Sequence, residues 1–358
     1  MRTQLLKQAR RVVVKVGTGV LTDARKQLDP KQMGRLVLQL AAQRRAGREI
    51  VLVTSGAVGA GMGALGFERR PKGLAELQAC AAVGQSRLMA AYEKLFARQG
   101  LHVAQVLLTH DDLQNHDRHL NARNTLLALL RHGVVPIINE NDTVSVTELK
   151  FGDNDRLSAL VASLLPADLL VILTTVEGVM ENFGRPDARV IDTVERIDAT
   201  LEGLAGGTTS ATAVGGMSSK IQAAKIAVRS GIPLMIASGH RDGTLTAILE
   251  GRPGGTFFLP SPDRLRGRKR WIAFFNRPRG TLVVDDGACT AVRERGKSLL
   301  APGVVRSEGN FHAGDVVSIC DAAGREFARG ICRFSAAEIQ TGHLPRSEVI
   351  HRDDLALL

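Results

Sequence analysis

The sequence predicts an α/β protein: a mostly parallel sheet sandwiched by helices, followed by a small C-terminal β-rich domain. Three observations carry that prediction. Through residue 260, short β-branched apolar runs alternate with long stretches of helical periodicity. The unusual polar clusters fall just after those runs, where parallel sheets bind ligands. Beyond residue 260 the texture changes to short apolar runs separated by tight, glycine-containing turns. The length of 358 residues suits about two domains. The expected division is 1–260 for the α/β domain, 261–275 for a basic linker and 276–358 for the β-rich domain.

The strands are read from VVVKV (12–16), IVLV (50–53), VAQVLL (103–108), VVPII (134–138), LLVIL (169–173) and IPLMI (232–236). Helical patterns lie near 31–46, 74–99, 119–132, 155–165 and 217–230. The first strand ends in Lys15, followed by Gly17 and Gly19. A lysine inside an apolar strand is unusual, and glycine lets backbone approach a ligand closely. After the second strand, Ser55, Gly56, Gly59, Gly61 and Gly63 form a loop that suits a phosphate or a carboxylate.

PIINENDTVSV places Asn139, Glu140, Asn141 and Asp142 after the fourth strand, and FGDNDRLSAL follows closely. In that second stretch Asp153 or Asn154 can cap a helix whose buried stripe is Leu157, Leu160, Val161, Leu164 and Leu165. One cap needs one such residue, yet Asp153, Asn154 and Asp155 stand together. Two acid-and-amide clusters suit an ammonium group with other polar groups, or a hydrated magnesium ion. Further on, Gly215, Gly216, Ser218, Ser219 and Lys220 open a helix with Ile221, Ala224 and Val228 as its apolar stripe. Small residues, helix N–H groups and a lysine suit nucleotide phosphates. No G-x-x-x-x-G-K-[ST] loop is present, since Ala291 replaces the first glycine before Gly296-Lys297-Ser298. Lys15 and Lys220 can neutralise a migrating phosphoryl group, and an acid between them can orient both.

Composition excludes several classes. No stretch approaches the roughly 20 apolar residues of a membrane span. The N-terminus lacks a signal-peptide pattern. Cys80, Cys289, Cys320 and Cys332 show no metal-ligand spacing, which points to a reducing cytoplasm. The net charge is +11, but residues 276–358 hold 11 basic and 11 acidic residues. The excess lies in 1–260, with 31 basic against 24 acidic, and in 261–275, with 5 against 1. That distribution favours a small anionic substrate over a nucleic-acid backbone.

The motifs VVVKVGTGVL, VTSGAVGAG, AAVGQSRLM, LNARNTL, PIINENDTV, FGDNDRLSALVA and GGMSSKIQAAKIA occur in one order. This ordered set resembles the glutamate 5-kinases of the amino-acid kinase family. RKRWI, DDGA, GKSLL and the closing HRDDL resemble that group's appended PUA domain. The resemblance implies ATP-dependent phosphorylation of the side-chain carboxylate of L-glutamate, with Mg2+, as the first step toward proline. It implies that Lys15 and Lys220 stabilise the transferring group and that Asp155 orients them. Ser55, Asp142 and Asn154 would hold glutamate, with Asp153 close by. Nucleotide contacts would come from Lys15, Gly17, Thr174 and Thr175, and from Val214, Gly215, Gly216, Met217, Ser218, Ser219 and Lys220. No protein side chain is expected to hold the metal directly. The resemblance also implies feedback inhibition by proline and a homo-oligomer. The neutral charge of the PUA-like tail weighs against RNA binding but leaves it open, and the alternatives are a kinase of another small acid, aspartate or N-acetylglutamate, or an RNA-binding or regulatory protein with a weakened kinase core. The chain departs from the family's pattern at Thr175 (usually Asp), at Ala213 and Val214, and at Met180 (usually aromatic), all on the nucleotide side.

Overall fold

Valine, isoleucine and leucine fill the predicted strands, and a sheet buried on both faces takes such residues along its whole length. The computed structural model describes residues 1–23, 27–145, 154–206, 216–265, 267–341, 344 and 347–358. The chain forms two compact units, Met1–Arg264 and Leu265–Leu358.

In the first unit the strands are β1 (Arg11–Val16), β2 (Glu49–Val53), β3 (Val103–Leu108), β4 (Val135–Glu140) and β5 (Leu169–Thr174). They are followed by β6 (Met180–Glu181), β7 (Arg189–Val190), β8 (Thr193–Val194), β9 (Leu234–Ser238) and β10 (Thr256–Phe258). Eight of them make one sheet in the order β3-β4-β2-β1-β5-β9-β10-β8. Every pairing from β3 across to β9 is parallel, and β10 runs antiparallel to β9. β6 and β7 form a separate antiparallel hairpin. From β1 the chain passes to β2, moves out to the edge strand β3, comes back to insert β4 between β3 and β2, and then crosses to place β5 on the other side of β1. Loops leaving β1, β2, β4, β5 and β9 therefore converge at one end of the sheet, the switch point where such folds bind ligands.

The helices include Pro30–Arg45, Leu74–Ala97, His116–Arg131, Asp155–Leu164 and Met217–Arg229. Asp29 caps the first of these, accepting from the N–H groups of Lys31 and Gln32. The short helix Ala57–Ala64 lies against Leu74–Ala97 with no room for side chains at two points. A Cβ on Gly84 would sit 1.7 Å from the carbonyl oxygen of Ala57, and one on Gly61 would sit 1.8 Å from that of Cys80. The core of this unit joins Val12, Val14, Leu52, Tyr92, Phe96, Ile137, Val171 and Met235.

The second unit contains β11 (Gly280–Val284), β12 (Leu299–Leu300), β13 (Val304–Gly309), β14 (Val316–Cys320), β15 (Glu326–Ile331), β16 (Glu348–Ile350) and β17 (Leu355–Leu357). Five of these form a sheet in the order β13-β11-β14-β15-β17, and β12 pairs with β16. The stretch read as a linker is divided: Ser261 donates its N–H to Val228 of the first unit, while Trp271–Phe275 is a helical turn in the second. Ile272, Ala273, Phe274 and Phe275 are buried there, and Arg329 donates to the carbonyl of Ala273 at 2.9 Å.

Candidate active site

Lys15 ends β1 with its side chain aimed into the site rather than into solvent, and only 4% of the residue is exposed. Its Nζ lies 2.6 Å from Oδ1 of Asp155. Lys220, on the first turn of Met217–Arg229 and equally buried, places Nζ 3.0 Å from Oδ2 of the same carboxylate. The Ser219 hydroxyl, with one hydrogen to give, lies 2.9 Å from that Oδ2 and 2.8 Å from the carbonyl of Gly216. One fully buried acid thus joins two buried ammonium groups. The three groups together carry one surplus positive charge, and a buried surplus of that sign favours an anionic ligand.

Asn154 occupies the N-cap position of the Asp155–Leu164 helix, but its side chain makes no cap hydrogen bond. The cap read from the sequence is therefore not made by Asn154, and Asp153 lies outside the described residues. The amide has other partners. Its Nδ2, with two hydrogens, donates to the carbonyl of Thr54 (2.6 Å) and to Oδ1 of Asn139 (2.7 Å), and Oγ of Ser55 lies at 3.2 Å from the same nitrogen. The donor end of this fully buried amide thus ties the ends of β2 and β4 to the helix start. Ser55 leads into Gly56, whose φ of 104° is open to glycine but strained for other residues. Gly56 begins Ala57–Ala64 without a side-chain cap.

Asp142 is 7% exposed, and its carboxyl is pushed up to about 7 by burial and by the nearby charge of Glu140, with Arg70 opposing. Burial likewise raises Glu140, against a hydrogen bond from Ser145 and with the charge of Asp111 adding to the rise. Among the described residues, Oδ1 of Asp142, Oδ1 of Asn154 and Nε2 of Gln85 are buried without a hydrogen-bond partner. A buried polar atom left in that condition is costly unless a ligand completes it.

On the expected nucleotide side, Thr174 is buried at the end of β5 while Thr175 is exposed. Thr175 packs where Gly19 has no side chain: a Cβ there would lie 2.7 Å from its methyl carbon. The N–H of Gly17 is taken by the carbonyl of Leu173 at 3.1 Å, so Gly17 offers space rather than a donor. Gly216, Met217 and Ser218 open the Lys220 helix, with Ser218 exposed. Val214 and Gly215 lie outside the described residues. The stripe of that helix differs slightly from expectation, since Ile221 and Ala224 are buried but Val228 only half-buried. Among the described residues no group of three or more His, Cys, Asp or Glu is arranged to hold a metal.

Sequence reasoning missed three participants. Thr54 contributes its carbonyl, Tyr92 contacts the Thr54 hydroxyl from below, and Gln85 accepts from Asn139 at 2.8 Å. The signal for Gln85 was a glutamine directly after Gly84, at the closest approach of two helices.

The family model described as the amino acid kinase family matches residues 10–238, and that of the PUA domain matches residues 280–351. The glutamate 5-kinase of Moorella thermoacetica is 49% identical over 368 residues, covering 99% of this chain and 97% of the relative. That of Geobacter metallireducens is 48% identical over 373 residues, covering all of both chains. Among solved structures, a carbamate kinase from Giardia lamblia bound to AMP-PNP matches with a TM-score of 0.51 at 19% identity. The match spans 71% of this chain and 100% of that one. This last likeness speaks for the fold.

Proposed function

The chain belongs to the amino acid kinase family, and on that footing we propose that it transfers the γ-phosphoryl group of ATP to the side-chain carboxylate of L-glutamate. The product is L-glutamyl 5-phosphate, the acyl phosphate that opens the route from glutamate to proline. The observation that carries the reading is the buried Asp155 held between Lys15 and Lys220, beside a polar cluster with unmet acceptors.

The chemistry needs little from the protein beyond positioning and charge. A carboxylate oxygen of glutamate attacks the γ-phosphorus, the bond from that phosphorus to the bridging oxygen breaks, and ADP leaves. The nucleophile is already ionised at neutral pH, so no general base is required. Asp155 is therefore free to serve as an organiser, holding two ammonium groups at fixed positions. Lys15 and Lys220 neutralise charge on the γ-phosphoryl oxygens as the bond breaks. Asp142 and Asn154 accept from the substrate ammonium, and Ser55 donates to a substrate oxygen. Magnesium would enter with ATP and would neutralise phosphate charge there, beside Lys15 and Lys220. The nucleotide lies along Gly17, Thr174, Thr175 and the Gly216–Lys220 turn. No described helix is long and apolar enough to cross a membrane, and the reading is of a cytoplasmic enzyme. The same reading includes feedback inhibition by proline and a homo-oligomer, checked by assays with added proline and by light scattering.

The test uses ATP, magnesium and hydroxylamine, which converts an acyl phosphate to a stable hydroxamate. Product is expected with L-glutamate and not with L-aspartate or N-acetylglutamate. Product from N-acetylglutamate instead would overturn the role given to Asp142. No product from any of the three acids in a folded protein would overturn the reading.

A further inference from the structure

We propose that Gln85 is a substrate-binding residue whose side-chain N–H holds the α-carboxylate of glutamate. The proposal rests on the glutamate reading above and adds to it the group that recognises the far end of the substrate.

The orientation of Gln85 is fixed by a chain of hydrogen bonds that starts at a backbone donor. The N–H of Glu140 donates to Oδ1 of Asn139 at 3.0 Å. A backbone N–H cannot accept, so that atom of Asn139 is its oxygen. The same oxygen accepts from Asn154. The other end of Asn139 is then Nδ2, which donates to Gln85 at 2.8 Å. The receiving atom of Gln85 is its oxygen, and the end left over is Nε2, a donor. That donor is buried and has no partner among the described residues.

Two acceptors are in the same condition, Oδ1 of Asn154 within that network and Oδ1 of Asp142 outside it. Unmet acceptors beside a carboxylate suit an ammonium group, and an unmet donor suits a carboxylate. An α-amino acid presents both on one carbon. The side-chain carboxylate of the substrate is drawn to Lys15 and Lys220, so the acceptor that reaches Gln85 is the α-carboxylate. Packing holds the donor in place: Gly84, the preceding residue, abuts the backbone of Ala57 too closely for a methyl group.

The test compares L-glutamate with L-isoglutamine, in which a carboxamide replaces the α-carboxylate and the side-chain carboxylate remains. Where isoglutamine gives no turnover, its inhibition constant against glutamate is read instead. In Gln85→Glu the donor becomes an acceptor of the same shape. The KM for glutamate should rise about 10- to 100-fold, the loss expected for a hydrogen bond to a charged group. The KM for ATP should stay within about twofold, and the affinity for isoglutamine should hold or improve. Gln85→Leu, checked for folding by its melting temperature, should weaken glutamate by a larger factor than isoglutamine, whose neutral carboxamide oxygen is the weaker acceptor. Equal losses for both ligands, or no loss for either, would overturn the proposal. Absence of glutamate turnover in the unaltered chain would instead overturn the functional reading on which it stands.

Discussion

The hydroxyl of Tyr92 lies 2.9 Å from the hydroxyl of Thr54, beneath the loop that carries Ser55, and both side chains are fully buried. Burial keeps the phenol protonated well above its ordinary range. Thr54 can then accept from Tyr92 and donate onward to the carbonyl of Ser55 at 3.2 Å. Tyr92→Phe removes the first link while keeping the ring. We expect a loss of about 1 kcal/mol in stability and a small rise, about threefold, in the KM for glutamate. Thermal melting and steady-state kinetics on the same preparation check both.

Replacing Asp155 with Asn leaves two buried ammonium groups without their shared counter-charge. The expected cost is about 3–5 kcal/mol in stability, together with a fall of at least about 100-fold in kcat. Lys220→Met removes one cation without leaving an unpaired acid, since Lys15 still holds Asp155. It should lower kcat by about 100- to 1000-fold with a smaller change in melting temperature. Near-normal turnover in Lys220→Met would remove that lysine from the chemistry.

Asp142 provides the pH dependence. Its carboxyl titrates near 7 in the protein because burial and the charge of Glu140 disfavour the ionised form. Binding of the substrate ammonium needs the carboxylate. The kcat/KM for glutamate should therefore fall as pH drops through 7, by about tenfold per unit well below it. Asp142→Asn should abolish that inflection and raise the KM for glutamate at pH 8 by about 100-fold, with the KM for ATP unchanged.

The same group affects stability with the opposite sign to most carboxylates. Its value in the folded chain lies above its ordinary 3.8, so the folded state binds more protons than the unfolded state between about 4 and 7. Stability conferred by the protonated form is thus lost as pH rises through that window. In the absence of substrate, Asp142→Asn should melt higher than the unaltered chain at pH 8. Glutamate should raise the melting temperature of the unaltered chain more than that of the variant.

Gly84→Ala would place a methyl carbon 1.7 Å from the oxygen of Ala57, so the two helices must separate. A loss of about 3 kcal/mol or more is expected, with weaker glutamate binding, because Gln85 moves with the helix. Gly203→Ala, where the space is open, serves as the control and should change neither.

The strands were legible because burial on both faces demands apolar, β-branched residues. VAQVLL and LLVIL became β3 and β5 within one residue of the predicted ends. β8 and β10 were not read: each has two or three residues, too few to show a period. Lys15 stood out as a charge inside an apolar strand, Asp155 as acid in excess of what a helix cap needs, and Lys220 as a lysine in a glycine- and serine-rich helix opening; the structure brings the three together. Gln85 and Tyr92 sit on a long helix whose other residues satisfy ordinary packing. Their role depends on contacts to β2 and β4, which no local pattern encodes. Asn154 is the instructive case. The local rule for a residue before a helix predicts a cap, and tertiary hydrogen bonds to Thr54, Ser55 and Asn139 displace it.

The carboxylate that joins Lys15 to Lys220 also bears on the order of synthesis. Lys15 leaves the ribosome early, Asp155 some 140 residues later and Lys220 another 65 after that. Until Lys220 emerges, the nascent chain holds a centre with half its counterions, and the strands β9 and β10 that close the sheet's far side have yet to be made. Chains released before that point lack β9 and β10, leave the edge of β5 uncovered and should be exposed to proteolysis. Activity should therefore switch on in a single step along the length of the message rather than grow with it.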